Sequence, residues 1–127
     1  APVNKFLDDG LRVGLATDVA GGSHESMLRA MTHAIQASKL RWRLYDQGVK
    51  PLPFERAFYL ATMGGGAFFG NVGSFLDGYE FDAVVLDDAS LDHPQELSVR
   101  ARLERAAYLA DDRNLTAKFV AGQKILG

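Results

Sequence analysis

The chain has 127 residues, of which 47% are hydrophobic and 24% charged, with a formal net charge of −2. These are the values of an ordinary globular domain, and without a basic surplus nothing points to nucleic acid or anionic lipid as a partner. There is no cysteine, which excludes disulfides and thiolate metal sites, and no apolar run approaches the roughly 20 residues of a membrane span, so a cytoplasmic location is the expectation.

Residues 3–9 form a short amphipathic piece stopped by Gly10, read as the last turns of a helix that feeds a strand. Leu11-Arg12-Val13-Gly14-Leu15-Ala16-Thr17 reads as that strand. Its near-continuous apolar character suits a parallel sheet covered on both faces. Asp18 follows at once, and Val19-Ala20-Gly21-Gly22 lets the chain turn away, so one carboxylate is presented at the end of a buried strand. A helix is predicted over residues 25–41, with Ser23 as N-cap and Glu25 at the positive end of the helix dipole. Met27, Leu28, Met31, Ala34 and Ile35 share one face, and His33 points away from it. Strand, glycine turn and helix make most of a βα unit.

Residues 47–52 are a connector, and Pro53 suits the first position of a second helix. Phe54, Ala57, Phe58 and Ala61 give its apolar face, which Gly64-Gly65-Gly66 interrupts before one more turn at Ala67-Phe68-Phe69. Turns are expected at Gly73-Ser74-Phe75 and Gly78-Tyr79-Glu80, and a strand over residues 81–87. A helix follows over residues 98–109 with Val99, Leu103 and Ala106 on one side. Residues 118–126 read as a hairpin with Gly122 in its turn. The strands are few. A parallel strand at residues 11–17 needs neighbours on both sides, and closing a βα barrel takes eight strands and about 250 residues.

Asp18 is the first candidate for chemistry. A carboxylate at the C-terminal end of a strand is placed to bind a divalent metal or to act as a general base. The structural alternative is an Asp that accepts hydrogen bonds from the amides of the Gly21-Gly22 turn. His24, near the helix start, is within reach of the same mouth of the fold, or is a solvated loop residue. His33 and His93 read as surface residues. No His-x-His or His-Glu-x-x-His pair is present, and a catalytic metal site takes about three protein ligands, so Asp18 alone cannot complete one. Gly64-Gly65-Gly66 lacks the Lys-Ser/Thr of a phosphate loop and reads as a packing glycine run. Asp111-Asp112-Arg113-Asn114 reads as a solvated turn or a local Arg–carboxylate pair, with a subunit contact as the functional alternative. The phenylalanines do not alternate with basic residues and read as core and interface packing.

Leu15-Ala16-Thr17-Asp18-Val19-Ala20-Gly21-Gly22, followed by Ser26-Met27-Leu28, resembles the last barrel strand of the amidohydrolase superfamily. Phe58-x-Leu60-Ala61-Thr62-Met63-Gly64-Gly65 with Gly73-x-Phe75, then Phe81-Asp82-Ala83-Val84-Val85-Leu86, resembles that family's passage from barrel to β-sandwich. Tyr108-Leu109-Ala110-Asp111-Asp112-Arg113-Asn114 with Val120-Ala121-Gly122-Gln123-Lys124 is similar to the C-terminal end of the guanine deaminase family. Ala16 stands where many relatives have glycine.

The resemblance implies an α/β chain that is the C-terminal fragment of a (β/α)8 barrel. Residues 1–72 would end the metal-dependent hydrolase barrel, and residues 73–127 would be the C-terminal part of a β-sandwich with an inserted helix. It implies zinc-dependent deamination of guanine to xanthine and ammonia, with Asp18 as both zinc ligand and proton carrier. His24 matches no ligand position. The remaining ligands and the guanine-recognition residues would lie in a missing N-terminal segment, leaving this chain inactive alone and in need of that segment or of a homo-oligomer. Alternatives are another amidohydrolase acting on a different aminated or chlorinated ring, and a catalytically silent, self-assembling fragment.

Overall fold

The computed structural model describes all 127 residues. Four α-helices and three strands follow one another as α1 (Val3–Asp8), α2 (Met27–Leu44), α3 (Phe54–Tyr59), β1 (Ala83–Leu86), α4 (Val99–Leu109), β2 (Leu115–Val120) and β3 (Gln123–Leu126). The Ser98 hydroxyl caps α4 by accepting from the Ala101 N–H at 3.2 Å. Helix α2 starts later than expected. Its N-cap is Ser26, not Ser23, with Oγ accepting from the Arg29 N–H at 3.4 Å, so Glu25 falls outside the helix. Pro53 is the cap residue preceding α3 rather than its first helical residue.

The core is helical. Met31 and Ile35 of α2 pack with Leu52, with Phe54 and Ala57 of α3, with Leu60, and with Ala107 of α4. Val99 was expected on the inner side of α4 but is 78% exposed, while Ala106 and Ala107 are buried. Phe54 and Phe58 stack with ring centroids 6.1 Å apart beside this core.

The sheet is antiparallel, in the order β1-β2-β3. The β2–β3 hairpin turns at Ala121 (φ 48°) and Gly122 (φ 78°), a pair of left-handed residues that matches the twist of the flanking strands. Phe81 joins Phe75 to Phe119 of β2 through ring contacts of 5.8 and 5.5 Å, so these aromatics pack along the sheet.

No parallel sheet forms. Residues 11–17, expected as a parallel strand, carry no ladder; the Leu11 N–H donates to the Phe6 carbonyl and the Leu15 N–H to the Leu60 carbonyl, both at 2.9 Å, while Val13 and Leu15 pack against the core. The reason is supply. The chain's three strands are committed to the antiparallel sheet, and a parallel strand without neighbours has nothing to pair with. The glycine run does not interrupt its helix either. After α3 the chain widens into a π-turn over Leu60–Gly64, and Gly65 and Gly66 continue helically. These glycines permit close approach: a Cβ on Gly64 would lie 3.0 Å from the Val13 carbonyl, and one on Gly14 would lie 2.9 Å from the Gly65 Cα.

Only 11 of the 127 residues are buried, and the accessible surface is 8885 Å². A compact monomer of 13.8 kDa exposes about 6,600 Å². The excess of about 2,300 Å² includes large apolar groups, with Phe68 87% and Phe69 80% exposed. No helix is long and apolar enough to cross a membrane.

Candidate active site

Asp18 sits on a backbone that most residues avoid, with φ 52°, and Ala20 follows at φ 81°. Aspartate tolerates the left-handed region better than most residues, and two such residues so close together make a tight reversal. The Gly22 N–H donates to the Asp18 carbonyl, and Val19 and Gly22 face each other in an isolated bridge. Glycine is required here for space: a Cβ on Gly22 would stand 2.1 Å from the Thr17 carbonyl, and one on Gly21 would stand 2.7 Å from Asp18 Oδ2.

The turn's hydrogen bond therefore goes to the Asp18 main chain. The Asp18 carboxylate is exposed and takes part in none of the hydrogen bonds or ion pairs that tie the other loops together. The structural alternative, a carboxylate satisfied by the Gly21-Gly22 amides, is not what is found. No group of three or more His, Asp or Glu side chains in the chain is arranged to hold a metal ion.

His24 is exposed, and its Nε2 is bonded to Arg29 Nη1. A guanidinium only donates, so Nε2 accepts and the proton of the neutral ring sits on Nδ1. His33 is exposed on α2 and lines, with Leu15, Thr17 and His24, a small cleft of about 300 Å³. His93 serves its own loop: its Nδ1 accepts from the Gln95 N–H at 3.1 Å.

Beside the Asp18 turn lies a cleft of about 430 Å³. Val19, residues 22–26 and Arg29 form one wall, and residues 110–112 form the other. Two motifs far apart in sequence, the glycine turn and the Asp-Asp-Arg-Asn block, thus meet at one opening. In that block Asp111 caps a short 3-10 turn (Asp112–Asn114) in a reciprocal capping box. The Arg113 guanidinium hydrogen-bonds the Asp111 carboxylate (Nη2–Oδ2 2.6 Å) and, with the Arg113 N–H, holds it below its usual range; the Arg29 charge adds to this. The expected Arg–carboxylate pair is present.

The role of Asn114 was not foreseen. It is 7% exposed, and its Nδ2 donates to the Asp87 carbonyl at 2.8 Å and to Ser90 Oγ at 3.0 Å. Its Oδ1 accepts from the Asp111 N–H at 3.0 Å. The Asp-x-x-Asn spacing is a capping-box signal that could have pointed to this. A larger apolar cleft of about 670 Å³, lined by Phe58, Met63, Phe75, Val84 and Leu103 among others, has Asp82 as its one carboxylate. The Asp82 Oδ1 accepts from the Ala121 N–H, which ties that carboxylate to the β2–β3 turn.

The left-handed Asp18, its glycine turn and helix α2 behind them thus stand together at one opening. The model of the amidohydrolase family matches residues 1–125, and the chain belongs to that family. Within it, the chain is similar to guanine deaminases. It is 34% identical to the guanine deaminase of Dictyostelium discoideum over 97% of this chain and 29% of that protein. It is 33% identical to that of Homo sapiens over 98% and 30%. Among solved structures it superimposes on the guanine deaminase of C. acetobutylicum with bound guanine in the active site, with a TM-score of 0.91 and 42% identity, over 98% of this chain and 30% of that one. It superimposes on E. coli guanine deaminase with a TM-score of 0.79 and 30% identity. The chain spans about 30% of the length of the relatives it matches.

Proposed function

We propose that the chain is the C-terminal part of a zinc-dependent guanine deaminase, residues 1–72 ending the catalytic barrel and residues 73–127 contributing to the accompanying β-sandwich. The observation that carries this reading is the TM-score of 0.91 at 42% identity to a guanine deaminase with guanine bound, over 98% of the chain. The excess exposed surface supports completion by further polypeptide, and leaves room for a homo-oligomer of complete chains.

Asp18 is assigned as metal ligand and proton carrier. Its exposed, unengaged carboxylate suits one donor of a set; no group of three possible ligands forms within the 127 residues, so a complete set would draw on sequence outside them. A zinc ion, when bound, supplies a positive charge that brings the pKa of water towards neutrality. The Asp18 carboxylate, held forward by the left-handed turn, accepts a proton as water attacks the carbon bearing the guanine amino group. It returns that proton to the departing nitrogen. One C–N bond is replaced by a C–O bond, and the products are xanthine and ammonia. Gly21 keeps a side chain out of the space the carboxylate occupies, and Gly22 lets the Thr17 and Asp18 backbone close the turn.

The test is Asp18→Asn in the complete protein. Asparagine keeps the left-handed backbone, whereas alanine there adds about 1 kcal/mol of strain. Ammonia release from guanine is expected to fall by about a hundredfold or more with the thermal midpoint preserved. Activity within about tenfold of the unmodified enzyme overturns the assignment of Asp18. Turnover of cytosine or a chlorinated triazine, with none of guanine, moves the substrate to a different ring.

A further inference from the structure

Helix α2 breaks a local rule at its start. Its first turn holds no acidic residue and instead carries Arg29, a cation placed against the positive end of the helix dipole. Local rules are most often broken where another contact compensates, and Arg29 has two. Its backbone N–H is the one that Ser26 Oγ caps, and its side chain reaches back along the chain to His24 Nε2. One residue therefore fastens the exit of the Asp18 turn twice, at positions 24 and 26. Across the 430 Å³ cleft its charge also acts on Asp111, which belongs to the capping box anchored by buried Asn114. Beyond the Asp18–Gly22 reversal the loop is solvent-facing: Val19 is 63% exposed, and residues 20, 21 and 23–25 are exposed.

We propose that Arg29 is a positioning residue that pins the loop of residues 19–26, through His24, to the start of helix α2 and so fixes the direction in which Asp18 presents its carboxylate. It touches no reacting atom and acts through the loop. The importance of that direction rests on the deaminase reading; the pinning itself does not.

The experiment is hydrogen exchange by mass spectrometry on the complete protein. Arg29→Ala is expected to speed exchange of residues 19–26 by about threefold to fivefold, the scale of an exposed charged contact. His24→Ala should do the same, and the double variant should exchange no faster than either single one, because both break one contact. Arg29→Lys should recover part of the protection, keeping the charge facing Asp111 but losing the planar fork. Arg43→Ala, at the far end of α2, should leave the loop unchanged. Unchanged exchange in Arg29→Ala, additive effects of the two single variants, or an equal effect of Arg43→Ala each overturns the proposal. Guanine turnover measured alongside separates the two readings: a protein inactive on guanine whose loop still loosens in Arg29→Ala refutes the deaminase and keeps the pin.

Discussion

Removing the Asn114 side chain is the most informative stability test this fold offers. Asn114→Ala deletes two donated hydrogen bonds, to the Asp87 carbonyl and to Ser90 Oγ, and one accepted from the Asp111 N–H. Each such bond is worth about 1 kcal/mol, and a buried group left without a partner costs more, so the loss is about 2–4 kcal/mol. Asn114→Asp is expected to be at least as damaging at neutral pH. It keeps an acceptor for Asp111 but sets a carboxylate oxygen against the Asp87 carbonyl at a 7% exposed position. Acidification should recover part of that loss, because a protonated carboxyl can donate once. The assay is native-state hydrogen exchange of the β1 and β2 amides in the complete protein. Acceleration of about thirtyfold to a thousandfold corresponds to the stated range. A change under about threefold would mean that the three bonds contribute nothing net, and the account of this corner would be wrong.

Other expectations follow from the same geometry. Gly22→Ala should displace Thr17 and Asp18, because its Cβ would meet the Thr17 carbonyl, and should abolish the proposed guanine deamination by the complete protein. Gly10→Ala, at φ 77° with nothing within 4 Å, should cost about 1 kcal/mol in thermal unfolding and leave activity intact. Gly14→Ala should destabilise by about 1–3 kcal/mol, since it presses on the Gly65 backbone. Asp88 and Asp111 are held below their ordinary value of 3.8 by hydrogen bonds from Arg102 and Arg113. Their folded forms release the proton more readily than the unfolded chain, so the stability they add is present above that value and is lost as pH falls below it. Asp88→Asn should therefore lower the stability slightly near neutrality and flatten its fall on acidification, as followed by thermal unfolding across pH. Expressed alone, the chain should associate and bind a hydrophobic dye, given its exposed Phe68, Phe69, Phe75 and Leu76. A clean cooperative transition of a monomer would contradict the incompleteness of the fold.

What could be read from the sequence was what neighbouring residues decide. The helical spacing of Leu103 and Ala106 placed α4, and Gly122 placed the hairpin turn, because helical faces and turns are set within a few residues. The start of α2 was read at Ser23 with Glu25 in the first turn, whereas the cap that forms is Ser26. What was missed depended on distant partners. The apolar pattern of residues 11–17 specifies a strand, but a strand exists only against another strand. Glycine propensity argued for a break at Gly64-Gly65-Gly66, and the approach of Val13 and Gly14 from another part of the chain overrode it. Asn114 reads as a polar turn residue because its partners Asp87 and Ser90 lie 27 and 24 residues away. Asp18 was legible as an acid in a telling place, and its left-handed backbone and unengaged carboxylate were not.

The path between β1 and β2 has a kinetic consequence. The β2–β3 hairpin closes through Ala121 and Gly122 alone, an event of about 1–10 μs. β1 can pair with β2 only after the stretch containing α4 has looped round, with Asp87 and Asn114 brought together from 27 positions apart. Closing a ring of that size costs about 3 kcal/mol of chain entropy, which must be met before the ladder forms. The hairpin should thus wait, formed but with one edge bare, until the Asn114 latch engages. Loss of the latch should then slow the docking of β1 and prolong the time that edge is open to another chain.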